Sequence, residues 1–515
     1  MGAGDSKMWD VELVESVAGE AGVVDGGPPD AGTAPRRGFR RRLKFRRHWW
    51  LGVLGLVLVV TAPTAVANLR ENARLAALGD VPGFLAPLNG PVHVIWHADA
   101  TVSGGMAPVS GRLLIVKNRA GESVEVVALD PLTGRPVWRA PLVAPETYKS
   151  ATCGLPPAQG SSGTASKNLA IGCVVQDESA TATVTTTDNE TVSLVYPTKA
   201  HLVVLDGTTG TQIASRAVEP TTTVALLGTD LLVSHVDAGG YIHVERQDPR
   251  SEAVRWTYTS PEAVPVDAFG QRSATVTVVA DLIFVNCAGV NNPASVGINS
   301  ANSTWVLSGE GVVLRSWAAD PKVSSTTDIF RVDALNSHLL AERAVSGPGA
   351  SGTKVINLAT GASFTADGNP VGGYPDDGSI PDLALMVSGD GSELIAYDGA
   401  SGNSRWRARG VASPPVVLDG HVLRLTGSTL EALDGRTGAL VWSTPLQQAE
   451  SSSLVTDGRV ALVTQSGPAG GTVFTAYGLD DGAPRWTTSI PDDVFPNAVG
   501  GRLYGISGQQ IVALG

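Results

Sequence analysis

A short motif recurs through most of the chain. It has the form Ala-x-Asp-x-x-Thr-Gly-x-x-x-Trp, and the copies at 128–138 and 432–442 preserve nearly every position. In both copies the Asp lies eight residues before the Trp, and the Gly lies four residues before it. A spacing repeated along one chain identifies a repeat architecture, in which each unit is too small to bury its own apolar surface. The fold must therefore be an array of similar units.

Each copy of the motif predicts a β-hairpin. The Asp side chain can accept hydrogen bonds from the turn backbone, and the Gly permits a left-handed backbone that Thr or Val would resist. Before the copy at 432–442, two apolar runs, 415–418 and 421–425, flank Asp419-Gly420 and predict two more strands. One unit is therefore a four-stranded sheet. The composition agrees with an all-β chain, because 60 Gly and 32 Pro accompany only 17% charged residues.

The two ends of this repeat region complete one unit. The sequence ends at 511–515, where a third strand would hand over to its turn, and residues 92–96 supply a fourth strand that ends in Trp. Sheets arranged radially cover one another, and a ring closed in this way leaves no free sheet edge. We therefore predict an all-β fold: a β-propeller of four-stranded blades, closed by an N-terminal strand that joins the C-terminal blade.

The motif resembles the pyrroloquinoline-quinone-type (PQQ-like) propeller repeat, over about residues 90–515. In that family the Trp packs against the Gly-containing turn of a neighbouring motif. The resemblance therefore implies a structural docking motif. Its predicted members are Trp96, Asp130, Gly134, Trp138, Asp206, Gly210, Trp256, Asp398, Gly402, Trp406, Asp434, Gly438, Trp442, Gly482 and Trp486.

The number of blades follows less directly from the motif. Nine hairpins can be counted, but those around Trp317 and Thr365 fit the motif least. The family usually has eight blades. We therefore expect eight, with seven to nine as the range.

The N-terminal part of the chain predicts a membrane anchor. Residues 49–67 contain no charge and are long enough to cross the hydrocarbon core as a helix. The preceding residues 1–48 end in a dense basic segment, which places them in the cytoplasm by the positive-inside rule. The expected order is a disordered cytoplasmic tail (1–48), a single-pass membrane helix (49–67), a linker (68–90) and an extracytoplasmic propeller (91–515). A cleaved signal peptide is the alternative, because Ala65-Val66-Ala67 has the small-residue pattern of a cleavage site.

Charge and cysteine content narrow the functional classes. The formal net charge of the chain is −12. Residues 1–48 carry nine Lys/Arg and seven Asp/Glu, a net charge of +2, so the rest of the chain has a net charge of −14. An acidic body argues against nucleic acid as a partner. Three cysteines are too few for a disulfide scaffold, but Cys153 and Cys173 are close enough in sequence to pair outside the cell, which would leave Cys287 free.

Two functional classes share the repeat, which is itself only a scaffold. Quinone-dependent dehydrogenases need Ca²⁺, a catalytic Asp and often a Cys-Cys pair, but this chain has no such pair and only 5% aromatic residues. It is more similar to the non-catalytic envelope propellers, such as the lipoprotein subunit of the outer-membrane β-barrel assembly machine. We therefore expect a non-enzymatic scaffold without a cofactor, which binds an unidentified envelope protein or a ligand. The loops 176–198, 289–304 and 366–381 are the candidate contacts.

Two alternative functions stay open. One is a PQQ- and calcium-dependent alcohol or sugar dehydrogenase, and the other is a ligand sensor that signals through a partner. Some side chains invite further hypotheses. His235 and His243 flank a turn and could chelate a metal, but no third ligand follows at a useful spacing, so we predict no metal site. Asp376-Asp377 and Asp480-Asp481 are interpreted as solvated turn residues and not as calcium ligands.

Overall fold

The structure is a computed structural model in which the chain divides into two compact units, 1–68 and 69–515. The predicted tail and the predicted membrane segment 49–67 lie outside the described residues. No helix in the described part of the chain is long and apolar enough to cross a membrane. The described residues are 71–79, 81–99, 102–117, 124–143, 150–155, 169–185, 191–264, 272–279, 281–288, 301–317, 330–344, 352–371, 374–410, 413–446, 453–467 and 470–515.

In the described residues, thirty-six strands follow a short helix, α1, at residues 71–78. The first eighteen are β1 (Val94–Asp99), β2 (Val102–Val109), β3 (Arg112–Lys117), β4 (Val124–Leu129), β5 (Pro136–Val143), β6 (Ala151–Gly154), β7 (Ala170–Thr185), β8 (Thr191–Asp206), β9 (Gln212–Val218), β10 (Thr223–Leu227), β11 (Asp230–Val236), β12 (Ile242–Gln247), β13 (Val254–Thr259), β14 (Ala274–Val279), β15 (Leu282–Ala288), β16 (Ala301–Leu307), β17 (Val313–Trp317) and β18 (Phe330–Ala334).

The other eighteen strands complete the described chain. They are β19 (Leu339–Ala344), β20 (Gly352–Asn357), β21 (Ser363–Asp367), β22 (Asn369–Pro370), β23 (Leu383–Val387), β24 (Glu393–Asp398), β25 (Ser404–Arg409), β26 (Val416–Leu418), β27 (His421–Leu425), β28 (Thr429–Asp434), β29 (Leu440–Pro445), β30 (Ser453–Thr456), β31 (Val460–Ser466), β32 (Thr472–Gly478), β33 (Pro484–Ile490), β34 (Phe495–Val499), β35 (Arg502–Ser507) and β36 (Gln510–Leu514).

The strands of the described residues form nine four-stranded antiparallel sheets, which are the blades of a propeller. Blades 1 to 8 each take four consecutive strands, from β2–β5 in blade 1 to β30–β33 in blade 8, and blade 9 has the order β34-β35-β36-β1. The expected number of eight is therefore wrong. Both doubted hairpins belong to complete blades: Trp317 ends blade 4, and Thr365 lies in the last strand of blade 5.

The predicted closure of the ring is confirmed. β1 pairs antiparallel with β36, from Val94 opposite Leu514 to Asp99 opposite Gln510. His93 and Gly515 exchange two backbone hydrogen bonds, at 2.9 and 3.1 Å, at the point where other blades have a covalent turn. Residues from the two ends of the described chain therefore build one sheet, and blade 9 is held to blade 1 through its outermost strand.

In every blade the connections after the first and third strands lie at one end, and most of them are short turns; the β6–β7 and β22–β23 connections are longer. Because the strands are antiparallel, the turn after the first strand and the turn after the third strand lie at the same end. We call this side of the propeller the turn face, and the side with the other connections the loop face. The turn face carries every copy of the Asp-Gly motif.

The residues before β1 pack on the turn face of blades 7 to 9. Leu75 and Leu78 of α1 are buried in a cluster with side chains of blades 7 and 8. The backbone N–H groups of Leu85 and Ala86 donate to the carbonyls of Thr456 and Gly501, at 2.8 and 2.7 Å. The segment 68–90, expected as a linker, thus contributes to the propeller core over its described residues.

Candidate functional site

The predicted docking residues meet at the junctions between neighbouring blades. At five junctions, a Trp from the last strand of one blade lies against the motif Gly of the next blade. The pairs are Trp96 with Gly134, Trp138 with Gly210, Trp256 with Gly311, Trp406 with Gly438, and Trp442 with Gly482. The indole ring therefore covers a turn of the neighbouring blade, and the pairs follow one another around the ring.

The Gly is required at these turns for two reasons. Its backbone is left-handed, with φ of +72° at Gly210 and +78° at Gly311. A Cβ atom would also collide with the indole, since it would lie 2.5 Å from Trp96 Cδ2 if built on Gly134. Only a residue without a side chain lets the ring approach this closely.

Most of the docked indoles also form a polar contact with the turn that they cover. Trp96 Nε1 donates to the carbonyl of Pro131 at 3.1 Å, and Trp406 Nε1 donates to the carbonyl of Gly435 at 3.0 Å. Trp256 and Trp442 form the same kind of hydrogen bond. The contact thus joins apolar burial to one directional bond, which fixes the orientation of each blade relative to the next.

Four junctions replace the Trp–Gly pair. Between blades 2 and 3, Ala214 takes the Trp position and Glu252, with φ of +57°, takes the Gly position. Arg250 Nη2 donates to Asp206 Oδ2 at 2.6 Å across this junction. An ion pair is present where the indole is missing.

Blades 4, 5 and 8 use other side chains at their outer strands. Arg315 lies beside Gly361, and the ring of Phe364 lies against the predicted residue Gly402. Trp486 packs on the apolar cluster of blades 8 and 9, which includes Val92 and Val512. The docking positions of Arg315, Phe364 and Gly311 were missed in the sequence, although all three lie in hairpins that can be counted there.

Each of the four motif carboxylates accepts hydrogen bonds from the backbone of its own turn. In Asp130, Asp206, Asp398 and Asp434, Oδ1 accepts hydrogen bonds from the backbone N–H groups two and three residues later. These bonds lower the pKa of Asp130, and an additional hydrogen bond from Arg405 lowers the pKa of Asp398 to about 2. The four acids are therefore ionised turn caps.

The cysteines lie in different surroundings. Cys153 and Cys173 are opposite each other in neighbouring strands of blade 2 and form a disulfide. Cys287 is buried and unpaired, and burial raises the pKa of its thiol to about 12. A thiol held protonated in this way is a poor nucleophile.

His235 and His243 are directly opposite across the β11–β12 hairpin, as the sequence predicted. Their rings are stacked with centroids 5.0 Å apart. Asp237 Oδ2 lies 2.9 Å from His243 Nε2, and burial lowers the pKa of His235. Within the described residues, no cluster of three or more His, Cys, Asp or Glu side chains has a geometry that could hold a metal ion.

The segment 374–382 departs from the interpretation of 366–381 as an exposed contact loop. Tyr374 and Ile380 are buried, and Asp376 forms a parallel bridge with Val417 of blade 7. Burial raises the pKa of Asp376 to about 6, with a further contribution from the charge of Asp377. This part of blade 6 therefore belongs to a junction between blades.

The candidate contact loop 176–198 is mostly strand. β7 and β8 pair with each other as far as Thr185 and Thr191, whereas β6 pairs with β7 only up to Val175 and β9 pairs with β8 only from Ala200. We call residues 177–185 and 191–199 the ribbon. It extends from the loop face, and both of its edges lack a third strand among the described residues. The third candidate loop, 289–304, is described only from residue 301.

The ribbon has little charge or core of its own. Only its base carries charged side chains, where Lys199 Nζ lies 2.7 Å from Glu178 Oε1. Residues 179–185 and 191–198 contain no charged side chain, and Val195 is 66% exposed. Sheet edges are commonly protected by charges, so the outer part of the ribbon, which lacks charged side chains and a third strand among the described residues, is an unusual surface.

The blades, the docking contacts and the closure define a propeller of PQQ-type repeats. The family model described as outer membrane protein assembly factor BamB matches residues 89–347 and 349–513. The chain belongs to that family. A search of curated proteins gives no match.

Solved structures with a similar fold are distant. BamB from Moraxella catarrhalis is 12% identical, with 82% of this chain and 99% of that chain covered and a TM-score of 0.37. Quinohemoprotein alcohol dehydrogenase from Comamonas testosteroni is 13% identical, with 82% and 76% covered and a TM-score of 0.35. Likenesses of this size carry no argument about activity or partners.

Substitution of a docking Gly tests the junction contacts. In Gly311→Ala the new Cβ would lie 2.7 Å from the Trp256 ring, whereas in Gly228→Ala no atom lies within 4 Å. Both positions have left-handed backbones, so both substitutions cost about 1–2 kcal/mol, and overlap with the indole adds about 1–3 kcal/mol at Gly311 alone. Urea unfolding should show the larger loss for Gly311→Ala. Equal losses for the two variants would contradict the docking contact.

The raised pKa of Asp376 predicts that substitution of this residue changes stability in a way that depends on pH. Its pKa is higher in the folded chain than in the unfolded chain, so its contribution to folding falls as the pH rises from about 4 to above 6. Asp376→Asn keeps the oxygen that accepts from Gly378 and removes the buried charge. It should raise the unfolding midpoint at pH 7.5 and change it little at pH 4.

Asp390 is the matched control, because its pKa is shifted in the opposite direction from that of Asp376. Hydrogen bonds from Ser388 and Ser392 lower its pKa to about 2, so Asp390→Asn should lower the midpoint at pH 7.5. Thermal unfolding of the two variants at both pH values measures the difference. A loss of stability in Asp376→Asn at pH 7.5 would show that its burial is not the governing effect.

Proposed function

We propose that this chain is a membrane-anchored, extracytoplasmic propeller that acts as a non-catalytic scaffold and binds a protein of the cell envelope through the ribbon. Membership of a family described as an outer membrane protein assembly factor supports a role in the envelope. The ribbon carries the proposal, because residues 179–185 and 191–198 have no charged side chain and their strand edges lack a third strand among the described residues.

The physical case for the ribbon rests on its isolation. A two-stranded hairpin is only marginally stable in water and normally needs a third strand or a packed face. Here about nine residues of each strand extend beyond the rest of blade 2. A partner that packs on the ribbon would bury exposed side chains such as Val195 and form hydrogen bonds with the backbone groups at the strand edges.

The membrane anchor is proposed from the sequence. The uncharged segment 49–67 and the basic residues before it support a single crossing with the propeller outside the cell. The disulfide between Cys153 and Cys173 supports the same side, because disulfides persist in oxidising compartments.

Site-specific photo-crosslinking tests the proposal. A photoreactive residue is placed at Thr183 on the ribbon, and at Leu132, which is 59% exposed on the turn face, as the control. In native membranes the ribbon label should capture one defined envelope protein that the control label does not. A variant in which 179–197 is replaced by a short turn should lose binding to that protein after purification, with an unchanged unfolding midpoint.

Three results would contradict the proposal. Two concern the ribbon: equal capture from Thr183 and Leu132, and unchanged binding by the shortened variant. The third is reduction of an electron-acceptor dye by the purified chain with PQQ, Ca²⁺ and an alcohol or sugar, which would favour the dehydrogenase alternative.

A further inference from the structure

A cavity of about 190 Å³ lies on the turn face at the seam where blade 9 meets blade 1. Blade 1 contributes Arg112 and Pro131, blade 9 contributes Arg502 and Tyr504, and Gly79 at the end of α1 completes one side. Pockets for drug-sized ligands are larger, at about 300–1,000 Å³, so this cavity suits a small group.

Glycine turns keep the cavity open. Gly111 and Gly500 follow the first strands of blades 1 and 9, and both have left-handed backbones, with φ of +73° and +56°. No heavy atom lies within 4 Å of a Cβ built on Gly111, whereas a Cβ on Gly500 would lie 2.6 Å from Pro108. Two tight turns therefore border the cavity, next to Arg112 and Arg502.

Two arginines, Arg112 and Arg502, line the cavity, although the protein as a whole has a net charge of −12. Arg502 is exposed, and no ion pair of Arg502 is found among the described residues. Arg112 has one acidic neighbour, Asp130, with Nη1 and Oδ2 3.6 Å apart. Asp130 Oδ1 already accepts from the backbone of Leu132 and Thr133, so this carboxylate mainly caps its turn. Two guanidinium groups thus share at most one carboxylate.

Tyr504 adds a neutral donor. It is only 2% exposed, and its ring centroid lies 6.0 Å from that of Trp96. Burial raises the pKa of the phenol to about 12, so it keeps its proton at physiological pH. Guanidinium groups pair with phosphate through two parallel N–H···O bonds, and a hydroxyl can donate to a further oxygen.

We propose that the Arg112–Arg502–Tyr504 cavity at the seam is a binding site for a phosphate group. This site is separate from the ribbon, so it goes beyond partner binding. A free phosphate and a phospholipid headgroup offer the same chemistry.

Calorimetric titration of the full-length chain in a phosphate-free detergent tests the site. Inorganic phosphate represents the free anion, and glycerophosphoglycerol represents the diester headgroup, both at constant ionic strength. Tighter binding of the diester would identify a lipid headgroup, and tighter binding of inorganic phosphate would identify the free anion. Arg502→Gln should weaken the preferred ligand at least about tenfold, because a charge-assisted bond is lost.

Arg436→Gln is the matched control, because Arg436 is also an exposed arginine on the turn face but does not line the cavity. It should bind as the unaltered chain does, and both variants should keep the unaltered unfolding midpoint. Three outcomes would overturn the proposal: no binding of either phosphate compound, equal weakening by Arg502→Gln and Arg436→Gln, or acetate binding as tightly as phosphate. None of these readouts depends on the ribbon or its partner.

Discussion

Contacts between the last strand of one blade and a turn of the next hold this propeller together, and at five of the nine junctions among the described residues the contact is a Trp ring on a glycine turn. Neighbouring blades pack face to face, but apolar packing between sheets does not by itself fix their relative angle. The indole of Trp406 covers Gly438 and donates to the carbonyl of Gly435, so position and orientation are set at the same point. Repetition of this contact orders the blades by sequence, and pairing of β1 with β36 returns the last blade to the first.

This arrangement separates the surfaces available for binding. The turn face is occupied by docking contacts, by the caps of the motif Asp residues and, over blades 7 to 9, by α1 and the segment that follows it. The ribbon leaves the opposite side, where no docking contact constrains its length or composition. The seam cavity also lies on the turn face, between blade 9 and blade 1. Substitutions or insertions in the ribbon can therefore change the binding surface without altering the docking contacts between blades.

Much of the fold could be predicted from the sequence, since the motif spacing encodes local hairpin geometry. The Asp caps, the left-handed Gly positions and the shared sheet of the two ends all follow from residues close to the motif. The blade number could not be predicted in this way, because Arg315 and Phe364 take docking positions without resembling Trp. Their role depends on a turn in the next blade, which no local pattern records.

The surfaces were harder to predict than the ring. The sequence predicts a contact loop at 176–198, because Ser and Thr residues are common in turns. The strand pairing of the ribbon depends instead on the register between β7 and β8. The burial of Asp376 follows from a bridge to Val417 in the next blade, and the seam cavity joins residues about 390 positions apart. Such sites join residues of different blades that only the packed ring brings together, so no local sequence pattern indicates them.

Closure can be measured directly with paired cysteines. Asp99 and Gln510 are exposed and opposite each other in β1 and β36, with Gln510 Nε2 2.9 Å from Asp99 Oδ1. In the full chain, Asp99→Cys with Gln510→Cys should form a disulfide under mild oxidation, which mass spectrometry of the digested protein detects. Asp99→Cys with Gln509→Cys is the control. Failure of the first pair to crosslink, or equal crosslinking of both pairs, would contradict a ring closed by these two strands.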